Sequence, residues 1–104
     1  MILANYLIKN DQIETIEISG HANYDESGKD IVCAAVSTAI IVTANAGELL
    51  EKNSTYSLII DEGYFKLDVK KHDPIMDKLL DNLKYTLYDL EQQYPNYIKN
   101  QKEG

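Results

Sequence analysis

From residue 31 to residue 47 the chain reads IVCAAVSTAIIVTANAG, 17 residues without a charge, and no other stretch restricts its folding as much. A helix of that length lies at the short end of what crosses a bilayer. Ser37, Thr38, Thr43 and Asn45 interrupt it, Glu48 and Glu51 follow at once, and hairpin signals flank it. It therefore reads as a core helix, apolar nearly all round and covered on several sides, and not as a membrane span. Small residues at Ala34, Ala35, Ser37, Ala39, Ala44 and Ala46 let a sheet come close, while Val36, Ile40 and Leu50 add bulk. The helix is expected to end near Lys52, with Asn53 as its C-terminal cap.

The remaining segments supply the sheet. Residues 2–9 are largely aliphatic, Asn10-Asp11-Gln12 brings turn chemistry, and in residues 13–19 Ile16 and Ile18 flank Glu17, which together read as a β-hairpin. A second hairpin joins residues 55–60 to 64–69 through Asp61-Glu62-Gly63, and there Phe65, Leu67 and Val69 alternate with Lys66, Asp68 and Lys70. Asp73-Pro74 opens a second helix. Ile75, Met76, Leu79, Leu80, Leu83, Leu87, Leu90 and Tyr94 form its apolar stripe, and Pro95 stops it. Residues 96–104 are either a frayed tail or, through Tyr97 and Ile98, an added edge strand. The order is ββαββα: a single α+β domain over residues 1–104, an antiparallel sheet of four or five strands with two helices.

Lys+Arg 10 against Asp+Glu 17 gives a net charge of -7, which opposes direct binding to a phosphate backbone and suits a basic protein or peptide as partner. One cysteine makes no internal disulfide, and residues 1–10 carry no basic leader, so a cytoplasmic protein is expected.

That cysteine lies in GHANYDESGKDIVCAAVS, residues 20–37, where His21 follows a strand end and Cys33 falls in the first turn of the long helix. Asp30 fits the N-cap. A thiolate is favoured at a helix N-terminus and beside a histidine that takes its proton, and the amides there could stabilise an oxyanion. The charge of Asp30 works against the thiolate. Taken singly, a cysteine among Ile, Val and Ala is more often a small buried hydrophobe, and a histidine after a strand a loop residue. His21, Cys33 and one carboxylate are too few sulfur and nitrogen ligands for a zinc site, so no metal or other cofactor is expected. His72 reads as a loop residue before the second helix. Of the tyrosines only Tyr24, in the polar loop, is a candidate for substrate contact.

The stretch ISGHANYDESGKDIVCAAVS, residues 18–37, resembles the signature of the ribosomal-processing cysteine protease family (Prp), a GHA followed by DIVCAAVS with twelve residues from histidine to cysteine. The resemblance implies His21 and Cys33 as the catalytic pair, with Asp30 and Ser37 in supporting roles as helix cap or in orientation. It further implies a cytoplasmic homodimer that removes a short N-terminal extension from a large-subunit ribosomal protein, cutting after an apolar, aromatic-ended segment. Cys33 would attack the scissile carbonyl and His21 protonate the leaving amine. The loop over residues 22–29, with Ala22, Asn23, Tyr24 and Gly28, is the expected peptide-contacting segment. Asn23 and Asp25 stand where the family commonly has a small residue and alanine, which bears on those contacts and leaves the pair untouched. A second reading is a non-enzymatic docking partner of ribosomal proteins that presents an acidic face, with Cys33 merely packed.

Overall fold

The computed structural model describes residues 1–26 and 30–103. Strands β1 (Ile2–Lys9) and β2 (Gln12–Ser19) are joined by a two-residue turn in which Asn10 (φ 53) and Asp11 (φ 59) are both left-handed, so Gln12 belongs to the strand. That turn twists in the sense the flanking strands require, and Asn and Asp tolerate it. Next come α1 (Ile31–Leu49), a short 3-10 turn at Asn53–Thr55, β3 (Tyr56–Asp61), β4 (Tyr64–Val69), α2 (Pro74–Gln93) and β5 (Ile98–Glu103). The sheet order is β3-β4-β2-β1-β5.

Three pairings are antiparallel, as expected, but β5 runs parallel to β1, so residues 98–103 are the added edge strand and the sheet is mixed. Two anchors explain this strand. Ile98 is fully buried, and Asn100 accepts the Tyr6 hydroxyl at 2.6 Å while donating through Nδ2 to the Leu87 carbonyl (3.0 Å) and to Glu91 Oε1 (2.8 Å).

The core lies between one sheet face and the helices. Ile2, Ala4, Tyr6, Ile16, Ile18, Phe65 and Leu67 point into it and meet Met76, Leu80, Leu83 and Leu87 of α2. Ile75, placed on the stripe by spacing, is exposed instead. Asp73 caps α2 by accepting from the amides of Ile75 and Met76. It also pairs with Lys52 at 3.0 Å. Met76's amide, then Lys52, hold the Asp73 carboxyl below its ordinary value.

Helix α1 departs from the sequence reading in two ways. It is long and apolar enough to cross a membrane by length and composition, yet it is covered on one face rather than several. Val32, Val36, Ile40, Thr43 and Gly47 are buried, while Ile41 and Val42 stay open. It also ends at Leu49, not near Lys52, because Glu51 turns left-handed (φ 58). The Lys52 amide then returns to the Gly47 carbonyl at 2.8 Å and the Glu51 amide to Glu48 at 2.9 Å. This closes the last turn in the Schellman manner and sends Asn53 into the 3-10 turn instead of a cap.

His72 does more than fill a loop. The β1–β2 register slips beside Leu7, leaving Glu14 out of the ladder. His72 Nε2 lies 2.9 Å from Glu14 Oε1 and Nδ1 lies 3.0 Å from Asp77 Oδ1. Ionised carboxylates only accept, so both contacts are hydrogen bonds at once only when the ring is protonated to imidazolium. Asp77, then Glu14, raise its pKa above 6.5. A raised folded-state value stabilises the fold fully below the unfolded value and is lost as pH climbs through the folded one. Relative to His72→Gln, the parent's Tm should therefore fall progressively above about pH 6.5. With 29% of the side chain exposed, added salt should shrink that difference. A difference independent of pH would refute the charged bridge.

Candidate active site

Gly20 ends β2 at φ 96, a conformation a side chain would strain, and directs the chain into His21 and Ala22. Ala22 is buried, whereas His21 is exposed at the rim of a cleft of about 320 Å³. Cys33 lines the same cleft from the first turn of α1, partly buried, with Ser37 one turn on. The end of β2 and the start of α1 therefore present an imidazole and a thiol to one space.

Asp30 sits at the N-cap in extended conformation, and its Oδ1 accepts from the amides of Val32 and Cys33 at 3.0 Å each. Its Oδ2 accepts the Tyr24 amide at 2.9 Å. Burial opposes the charge, but the Cys33 and Tyr24 amides, the Cys33 thiol and the Val32 amide together hold the carboxyl below its ordinary value. This gives Asp30 the capping role, and it occupies two of the helix amides that sequence offered to an oxyanion. The donor aimed at sulfur is instead the Ala22 amide, 3.3 Å from Cys33 Sγ. The same amide can serve an oxygen bound beside the sulfur, where excess charge would gather.

Among the described residues the His21 ring makes no hydrogen bond to Cys33 or Asp30; it faces the cleft and packs against Gly63. The Gly20 amide donates to the Gly63 carbonyl at 3.0 Å, bringing the β3–β4 turn over the histidine. A Cβ on Gly63 would stand 2.8 Å from His21 Nε2. Sequence reading took this glycine for a turn residue alone, because nothing local shows that β2 and β4 pair with Ser19 opposite Tyr64.

The other named residues fall as follows. Ser37 is exposed on the cleft wall without a side-chain partner among the described residues. Asn23 is exposed and left-handed (φ 57), a backbone state asparagine accepts more readily than most residues. Tyr24 turns its ring to Tyr94 and Tyr97. Gly28 lies outside the described residues. No group of three or more metal-ligating side chains occurs among the described residues. Ile18, Ile40, Ile60 and Phe65 make most of the remaining cleft wall apolar, with Asp61 and Glu62 at the turn.

A family model described as cysteine protease Prp matches residues 1–99. No curated protein matches. The essential ribosomal processing protease Prp of S. aureus, solved with a covalently linked product peptide, superposes with a TM-score of 0.92 at 23% identity, covering 99% of this chain and 100% of that one. The same protease solved with a substrate peptide gives 0.84 at 22%, covering 99% and 100%. SMU.848 of Streptococcus mutans is 33% identical with a TM-score of 0.83, over 98% of this chain and 93% of that one. With nearly every element of the fold inside the matched region, this chain belongs to the Prp family of cysteine proteases.

Proposed function

We propose that the protein is an endopeptidase that removes a short N-terminal extension from a large-subunit ribosomal protein, with Cys33 as nucleophile and His21 as its proton carrier. The observation that carries this reading is the Ala22 amide directed at Cys33 Sγ inside a cleft that His21 also lines. The thiolate attacks the scissile carbonyl and the Ala22 amide passes from sulfur to the developing oxyanion. The imidazolium of His21 then protonates the leaving amine, and water releases the acyl-enzyme. The apolar cleft wall suits apolar and aromatic side chains before the cut, and the net charge of -7 suits a basic ribosomal protein while disfavouring nucleic acid. A thiol that works uncoupled from any disulfide suits the reducing cytoplasm.

The test is mass spectrometry of a synthetic peptide spanning such an extension, incubated with the protein before and after iodoacetamide treatment. One cut, abolished by alkylation, is expected. An intact peptide beside folded, untreated protein would refute the proposed substrate.

We further propose a homodimer, supported by the open apolar side of α1. Ile41, Val42 and Leu49 of α1 are 53%, 61% and 84% exposed. Sedimentation equilibrium should then give twice the 11.8 kDa chain mass, and the single mass at all concentrations would contradict it.

Gly63→Ala tests the histidine's seat. The new Cβ meets the imidazole, and φ 66 adds backbone strain of about 1–2 kcal/mol. Cleavage should fall about 10- to 100-fold. Gly63→Asn separates the two effects, since asparagine tolerates the left-handed backbone but keeps the Cβ. It should regain stability and stay slow. Full activity in Gly63→Asn would show that contact with His21 is immaterial.

A further inference from the structure

The Tyr24 ring sits edge-on against two rings from the far end of the chain: Tyr94, at the C-cap of α2, with centroids 5.6 Å apart, and Tyr97, ahead of β5, at 5.0 Å. This platform is fixed independently of the loop. The Tyr97 amide donates to the Tyr94 carbonyl at 3.0 Å, and the Tyr97 carbonyl accepts the Ile2 amide at 2.9 Å. On its other side Tyr24 is tied to the site. Its amide donates to Asp30 Oδ2, whose partner oxygen holds the Cys33 amide. Two residues earlier, the Ala22 amide reaches Cys33 Sγ. The Tyr24 ring is thus the point where the segment carrying His21 and Ala22 is pinned to the body of the fold.

We propose that Tyr94 and Tyr97 are positioning residues of the active site, which hold the Tyr24 ring and, through its backbone, keep the Ala22 amide and the Asp30 cap in place against Cys33. The inference rests on the protease reading and reassigns Tyr24 from peptide contact to anchorage. Edge-on pairing of rings is directional, so an aliphatic or small side chain does not replace it. The Tyr24 hydroxyl makes no hydrogen bond among the described residues, so the anchor needs the ring and not the oxygen. Without the anchor, residues 22–24 lose their fixed distance from sulfur, and misplacement of the order of 1 Å costs as much as 100-fold in rate.

The experiment uses the full chain with Tyr24→Ala, Tyr24→Phe, Tyr97→Ala and the Tyr24→Ala/Tyr97→Ala pair, each checked by circular dichroism. Two readouts are taken: kcat and KM for peptide cleavage, and the rate of Cys33 alkylation by iodoacetamide across about pH 6 to 9. Tyr24→Ala should lower kcat about tenfold with KM within about twofold, and should displace the alkylation profile. Tyr24→Phe should match the parent. Tyr97→Ala should reproduce the loss and the pair should be no worse than either single change, because both remove one interaction. If Tyr97→Ala unfolds, Tyr97→Leu takes its place, keeping bulk without the ring. Parent-like kcat in Tyr24→Ala, a change in KM alone, or losses that multiply would each overturn the proposal. Should the parent leave the peptide uncut, the substrate reading fails by itself. The alkylation series then decides, and a profile unchanged by Tyr24→Ala would end the anchor.

Discussion

Cys33→Ala is expected to leave the fold intact and to lower peptide cleavage by about 10⁴-fold or more. The fold tolerates the change because Cys33 is only partly buried and alanine is the best helix former. The chemistry does not, because nothing else lining the cleft offers a thiol. Ser37 is the nearest alternative in kind, but its hydroxyl lies a turn away and ionises far less readily. Cys33→Ser should be about as inactive as alanine although its oxygen can keep the Ala22 amide satisfied, which separates nucleophilicity from packing. His21→Ala should cost about 10²- to 10⁴-fold, the usual worth of a positioned proton carrier. The double variant should be no slower than Cys33→Ala, the result expected of the proposed pair acting as one unit. Initial rates measured by chromatography, beside thermal melts, decide the matter. Residual turnover in Cys33→Ala that tracks the protein would dethrone the cysteine.

Asn100→Leu should produce the largest loss of stability of any single polar substitution. The side chain satisfies the hydroxyl of Tyr6, which is wholly buried, and holds Leu87 and Glu91 of α2 at the same time. Burial, then Tyr88 and Glu91, push the Tyr6 phenol far above its ordinary range, so it remains a neutral donor at any working pH. Removing the acceptor strands that donor in the core, at about 1–3 kcal/mol, and loss of the α2 bonds adds about 1 kcal/mol. For a domain of this size the Tm should drop by about 10–20 °C. Tyr6→Phe combined with Asn100→Leu removes both partners, and much of the loss should return. A double variant no better than Asn100→Leu would mean that the α2 contacts, not the hydroxyl, bear the effect.

Local chemistry made much of this legible. Asp30 and Asp73 cap the helices they precede, Cys33 is the third helical residue, and both hairpins form where turn residues interrupt alternation. The motif over residues 18–37 points to the family without help from the fold, and the family in turn removes the docking-only reading. What escaped was long-range. Ile41 and Val42 had apolarity but no stated partner, and periodicity does not say how many faces of a helix are covered. Glu51 carried no sign of a left-handed turn, since the motif usually takes glycine there. Gly63, Tyr94 and Tyr97 touch the site only because strands distant in sequence pair, and single-chain spacing holds no information on such pairing.

The parallel pairing of β1 with β5 joins Ile2 to Ile98, so this edge of the sheet forms only when segments far apart in sequence come together. Such contacts are slow to form because the entropy of a long loop is lost before they repay it. On the ribosome, a chain emerging N-terminus first would expose β1 with one edge unpaired until β5 is free. Tyr97, the residue next to that strand, also seats the loop of the active site. Proteolytic competence would then wait on the pairing of β1 with β5, so that a copy lacking β5 carries its nucleophile but not the geometry to use it.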